Sequence, residues 1–150
     1  MTLHVGRPTD LLSHVGESIG TTDWIEITQA RVDEFADATG DHQWIHVDPD
    51  RAAAGPFGRT VVHGFLTLAL SPVALYELLV IDHLEASVNY GLNKVRFPAA
   101  LPVGTRVRLH IEITAVAQKP AGVEVTFQVT TEADEGDRPV CVAEQVVLYR

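Results

Sequence analysis

Apolar and polar residues alternate over 105–113: Val107, Leu109, Ile111 and Ile113 are apolar, while Arg106, Arg108, His110 and Glu112 are polar. Side chains two positions apart share one face of a strand, so this run predicts a strand with one buried and one wet face. Val123, Val125, Phe127 and Val129 repeat the pattern against Glu124, Thr126, Gln128 and Thr130. Between the runs lies Gln118-Lys119-Pro120-Ala121-Gly122, a turn by composition, so the two predict an antiparallel hairpin. An acidic turn over 133–139 and a third run over 140–149 extend it to a three-stranded meander. Further strands are predicted near 24–27 and from about 86 to 97.

Helical spacing appears earlier in the chain. Thr28 is placed to cap a helix whose face carries Val32, Phe35, Ala36 and Thr39, and Gly40 is suited to end it. Asp48 followed by Pro49 predicts a second, short helix through residue 54. The run 64–81 is apolar on all sides with one charge, Glu77, and its 18 residues meet the threshold length for a membrane span. Ser71, Pro72, Glu77 and the lack of basic flanks favour a buried helix instead, with Pro72 kinking or splitting it. A single antiparallel sheet must cover its apolar face, and only 64–81 is apolar enough to do so. The expectation is an α+β fold in which an antiparallel sheet wraps one long central helix, as a single domain over 1–150 with its core at about 20–149.

Composition narrows the partners. With 150 residues and 46% hydrophobic content the chain suits one globular domain. Its 20 Asp and Glu against 11 Lys and Arg give a net charge of −9, which disfavours nucleic acid and anionic membrane as partners. Cys141 is the lone cysteine, so no internal disulfide is available, and its strand setting without a nearby His suggests a buried structural thiol. Residues 1–20 lack the basic start, apolar run and cleavage site of a leader, so a cytoplasmic location is expected.

The candidate chemistry lies between the two helix signals. Asp41 and His46 stand five residues apart in a loop, and a carboxylate with an imidazole can hold and activate a water. Taken singly, Asp41 also reads as a turn residue after Gly40 and His46 as a packed histidine. His42, His46 and Asp48 invite a metal, but helix-ending signals interrupt them and their spacing matches no known ligand set, so no metal is expected.

The stretch Gly40-Asp41-His42-Gln43-Trp44-Ile45-His46-Val47-Asp48-Pro49 resembles the MaoC-type (R)-specific enoyl-CoA hydratases, whose signature runs roughly Gly-Asp-x-Asn-Pro-hydrophobic-His-x-Asp. Gln43 and Trp44 depart from it: the amide is kept one methylene longer and the proline is lost. Trp44 either narrows an acyl pocket or packs the loop in place of that proline. Thr60-Val61-Val62-His63-Gly64-Phe65-Leu66-Thr67 is similar to the family's His-Gly start of the central helix. A third block, Asn89-Tyr90-Gly91-Leu92-Asn93-Lys94-Val95-Arg96-Phe97-Pro98 and then Pro102-Val103-Gly104, is similar to the strand and turn that follow.

This resemblance implies the hotdog fold, a homodimer joined edge to edge, and reversible hydration of trans-2-enoyl-CoA to (R)-3-hydroxyacyl-CoA without metal or cofactor. Acyl carrier protein is a further possible thioester carrier. Asp41 and His46 would be the catalytic dyad, Asp41 having its pKa raised by enclosure against the helix and Trp44. The Gly64 N–H would serve the thioester oxygen, with His63 in support. Gln43, Trp44, His63, Phe65, Arg59, Asn89, Gly91, Lys94 and Arg96 would bind substrate. Arg51 joins Arg59, Lys94 and Arg96 as the cations nearest the CoA phosphates, and Phe57, Phe65, Leu66 and Leu68 are candidates for an acyl tunnel. Two rivals stay open: a hotdog thioesterase, whose carboxylate would have to be Glu77, and a non-catalytic subunit that binds acyl thioesters or depends on a partner.

Overall fold

Every element of the fold is placed by a local signal or by a distant partner, and the two kinds are easily separated. The computed structural model describes residues 2–150. Leu3–Val5 forms β1, and a 3-10 turn over Pro8–His14 leads to β2 (Ser18–Thr21) and β3 (Ile25–Glu26). The Thr28 hydroxyl accepts the Arg31 N–H and so caps α1 (Gln29–Thr39). Gly40 closes α1 at φ 80°, in the left-handed region where a side chain is strained. The short α2 (Trp44–Val47) and α3 (Pro49–Ala53) follow, α3 capped by the Asp48 carboxylate accepting the Arg51 N–H at 3.0 Å.

The apolar run is helical in two pieces, α4 (Gly64–Ala69) and α5 (Ser71–Leu78). Pro72 has no N–H to offer the Leu68 carbonyl, and the Ser71 hydroxyl donates to that carbonyl at 2.9 Å instead. The expected helix over 64–81 stops short. Leu79–Ile81 is a strand, β4, paired in parallel with β1 through Leu3↔Leu79 and Val5↔Ile81. That partner lies more than seventy residues away, so hydropathy alone could not separate β4 from the helix. Among the described residues no helix is long and apolar enough to cross a membrane.

The remaining strands are β5 (Ser87–Arg96), β6 (Arg106–Lys119), β7 (Gly122–Ala133) and β8 (Cys141–Tyr149). The main sheet runs β2-β6-β7-β8-β5, antiparallel throughout, with β3 also paired to β6. The predicted meander is present, with Lys119 facing Gly122 across its first turn. Gly122 sits at φ 145°, and a Cβ there would fall 2.3 Å from the Tyr149 carbonyl oxygen, so the turn requires glycine.

Val107, Leu109, Ile111, Ile113, Val125 and Phe127 are fully buried on the concave face of this sheet. Leu66, Leu70, Ala74, Leu75 and Leu78 of the divided helix pack into the same core. This is the expected α+β arrangement of a sheet wrapped around a central helix. β5 is a free edge, exposed along most of its length.

Candidate active site

Three backbone tethers hold the loop between α1 and α4 in place. Val61 N–H donates to Ile45 O, Val62 N–H to Leu101 O, and Val103 N–H to Thr60 O, which pins 60–62 between α2 and the 101–103 turn. The pinned Val61 carbonyl accepts from His46 Nδ1 at 2.6 Å. A carbonyl only accepts, so Nδ1 carries the proton and Nε2 keeps a free lone pair. His46 is buried, and burial holds its imidazole below the ordinary value of 6.5; the Val61 hydrogen bond and Asp41 oppose the shift, and neighbouring His63 adds to it. His46 is therefore neutral at pH 7, as a base must be.

His63, immediately before α4, is 2% exposed. Its ring stacks on His46 with centroids 3.9 Å apart, and Phe35 of α1 lies against it at 4.9 Å. His63 Nε2 donates to the Asp41 backbone carbonyl at 3.0 Å, while its Nδ1 has no partner among the described residues. One histidine thus braces the other and ties down the residue carrying the carboxylate. Asp41, His46 and His63 bring ligand-type atoms within 4.8 Å of one another.

Several expectations change here. Asp41 is exposed in the single chain, not enclosed by the helix and Trp44. Its carboxylate instead accepts the Gln43 N–H at 3.4 Å, a turn contact. Trp44 packs the loop in place of the missing proline: Arg51 lies 4.4 Å over its ring, and a Cβ on Gly55 would fall 2.9 Å from it. His42 turns outward to Asp37 at 2.9 Å and Asp48 is spent on capping, so the trio weighed for a metal is dispersed.

Gly64 opens α4, where backbone N–H groups lack intrahelical acceptors. The Phe97 ring occupies the space a Cβ would need, at 3.1 Å. Beside it is a cavity of about 260 Å³ lined by Val62, Thr67, Phe97, Leu101 and Val140. Phe57 and Phe65 stand on the surface, Phe65 at 70% exposure, so the single chain encloses no tunnel from them. Arg59 reaches Glu135 at 3.5 Å. Lys94 and Arg96 line a separate cavity of about 290 Å³ with Gln128 and Glu144. Asn89 and Gly91 line another at the helix break. Neither lining includes a residue of the Asp41, His46 and His63 cluster.

One contributor carried no sequence signal. Gln29, the first residue of α1, donates from Nε2 to the His46 carbonyl at 2.7 Å and accepts the Thr60 hydroxyl at 2.8 Å. Both contacts span long stretches of chain and follow only from folding. Cys141 is buried, and burial pushes its thiol up to about 11, which keeps it an unreactive thiol at neutral pH.

Residues 10–135 match the model of the MaoC like domain. The 3-hydroxyacyl-thioester dehydratase Z of Mycobacterium tuberculosis is 52% identical over 141 residues, which cover 93% of this chain and 93% of that protein. Nodulation protein N of Rhizobium leguminosarum bv. viciae is 39% identical, with 99% of this chain and 94% of that protein covered. A solved (R)-hydratase from A. caviae involved in PHA biosynthesis superposes with a TM-score of 0.71 at 26% identity, over 91% of this chain and 96% of that one.

Proposed function

We propose, from the premise that the chain belongs to the MaoC-like family, that it adds water reversibly to a trans-2-enoyl thioester to give the (R)-3-hydroxyacyl thioester. The chain is a hydro-lyase of the hydratase and dehydratase type; the substrate, the stereochemistry and the residue roles are this proposal's own. The observation that carries it is the free Nε2 of a neutral, buried His46 beside the Asp41 carboxyl group, with Nδ1 locked on the Val61 carbonyl.

Water held between the two groups gives a proton to His46 Nε2 as its oxygen bonds to C3. The C2–C3 π electrons move toward the thioester, and C2 takes a proton from the Asp41 carboxyl group in its protonated form. Proton return from His46 to Asp41 closes the cycle, and the reverse sequence expels water. Charge developing on the thioester oxygen is met by the Gly64 N–H at the start of α4. The steps as written use protons and a backbone donor only.

A second copy of the chain completes the reading. The free edge of β5 exposes Val88, Tyr90 and Leu92, and α4 and α5 expose Phe65, Val73 and Tyr76. Pairing two such edges covers these side chains. Arg51, Arg59, Lys94 and Arg96 are the cations offered to the phosphates of CoA, with acyl carrier protein as the other carrier. Glu77, the carboxylate a thioesterase would need, is exposed on α5, beyond the break that separates it from Gly64 on α4.

The testing experiment follows loss of the enoyl-thioester absorbance with crotonyl-CoA and longer homologues, together with product chirality and free thiol. Hydration to the (R)-alcohol without thiol release is expected. Thiol release would make the chain a thioesterase, and no turnover at any length would make it a binding or partner-dependent subunit. The pH profile adds a second prediction. Because burial lowers the His46 pKa, the acid limb of log kcat/KM should fall below pH 6.5, with activity rising through it. A limb centred above 6.5 would count against His46 as the base.

A further inference from the structure

On β8 the core-facing side chains are alternate residues: Cys141, Ala143, Gln145, Val147 and Tyr149, all buried. Four suit an apolar interior, and Gln145 does not. It is 4% exposed, its Nε2 donates to Asn89 Oδ1 at 2.9 Å, and its Oε1 has no partner among the described residues. Turning the amide over exchanges the two atoms and still leaves one unpaired. An unpaired buried acceptor or donor is destabilising, so its presence points to a partner from outside the chain.

Gln145 lines a cavity of about 230 Å³ between the helix break and β5. Ser71 and Asn89 bring the other polar side chains, and Leu68, Pro72 and Leu92 supply apolar wall. β5 departs from regular register on both sides of this point, between Asn89 and Gly91 and between Leu92 and Lys94. Irregularities of this kind re-aim side chains and open a sheet beside functional sites. Leu68 lies one helical turn from Gly64, about 6 Å along the axis. An acyl chain whose thioester oxygen meets the Gly64 N–H would reach this cavity several carbons from the reacting atoms. A mostly apolar cavity with a few convergent polar groups is what recognition of a mainly apolar ligand with one polar substituent requires.

We infer that Gln145 recognises a hydroxyl group carried on the acyl chain, so that the substrate class is a hydroxylated enoyl thioester and not a plain alkyl one. Resting as it does on the hydratase reading, this assignment names the substrate of the same site. A hydroxyl donates to the free Gln145 oxygen and fills space beside Ser71, whereas a methyl group leaves the oxygen unpaired.

The test is calorimetric binding of saturated, unreactive CoA thioesters in matched pairs, one ending in methyl and one in hydroxyl, over a series of chain lengths. Wild type should bind the hydroxylated member about tenfold more tightly at one length, the effect of a single hydrogen bond. Gln145→Met, similar in volume and apolar, should abolish or invert the preference. Gln145→Glu keeps an acceptor and should retain it, giving a readout if the Met variant fails to fold. A methyl preference at every length in wild type, or a preference unchanged in Gln145→Met, overturns the assignment and leaves Gln145 as a site for a buried water. Binding is read without turnover, so the two proposals fail separately. Hydration without discrimination removes only this one, and discrimination without hydration removes only the reaction.

Discussion

Asp41→Asn and His46→Gln are each expected to lower kcat/KM for crotonyl-CoA hydration by about 10²–10⁴-fold, the range that positioned acid–base groups supply. Both replacements keep shape and lose chemistry. The Asn oxygen can still accept the Gln43 N–H in the turn, and the Gln amide stands where His46 Nε2 does, without its basicity. Neither offers a group that titrates between water and C2. Because one group takes the proton that the other must return, the double variant should be scarcely slower than the worse single one. Initial rates measured beside circular dichroism and melting temperature separate chemistry from folding. A folded single variant retaining more than about a tenth of wild-type kcat/KM would remove that residue from the dyad.

Phe127→Ala is expected to destabilise the fold by about 3–5 kcal/mol, the range for emptying a buried aromatic position. Phe127 is fully buried on β7, between Ile113 of β6 and Gln145 of β8 in the register, with Tyr149 edge-on at 6.3 Å. Sheet hydrogen bonds tie both neighbouring strands to β7, so the surroundings cannot readily collapse into the cavity. For a chain of this size the loss corresponds to a fall in melting temperature of about 6–20 °C. Urea titration of wild type, Phe127→Leu and Phe127→Ala gives the series, with the Leu variant intermediate. A loss below about 1 kcal/mol for Phe127→Ala would mean that the space under the central helix repacks, and the core described above would be wrong there.

Particular residues show how far reading the chain could go. The alternation of Val107 to Ile113 and of Val123 to Val129 named the buried faces of β6 and β7, since a strand's period of two is imposed by the backbone itself. Thr28 and Gly40 marked the ends of α1 because capping is decided within a few residues. β1, the 3-10 turn and β2 carried no such mark. β1 exists because β4 is there to pair with it, and β4 had been absorbed into the apolar run of the helix. The division at Leu70 and Ser71 was foreshadowed by Pro72, but the Ser71 hydroxyl that serves the Leu68 carbonyl was not.

The site divides along the same line. Asp41, His46, His63 and Gly64 could be named from two short motifs, because the residues proposed to carry the chemistry occupy two short, continuous segments of chain. Their states could not be named. His46 is neutral because the folded chain buries it, and its tautomer is set by a Val61 carbonyl fifteen positions away. Gln29 supports the loop, Trp44 packs the corner in place of enclosing Asp41, and Gln145 pairs with Asn89 of β5, each through contacts absent from any local pattern. What the chain determines by itself is periodicity, capping and the identity of groups able to move a proton, since these depend on neighbours along the backbone. Which lone pair is free, which carboxylate is exposed and which polar atom is left without a partner were decided only by the tertiary structure, because desolvation and hydrogen-bond pairing depend on what packs across space.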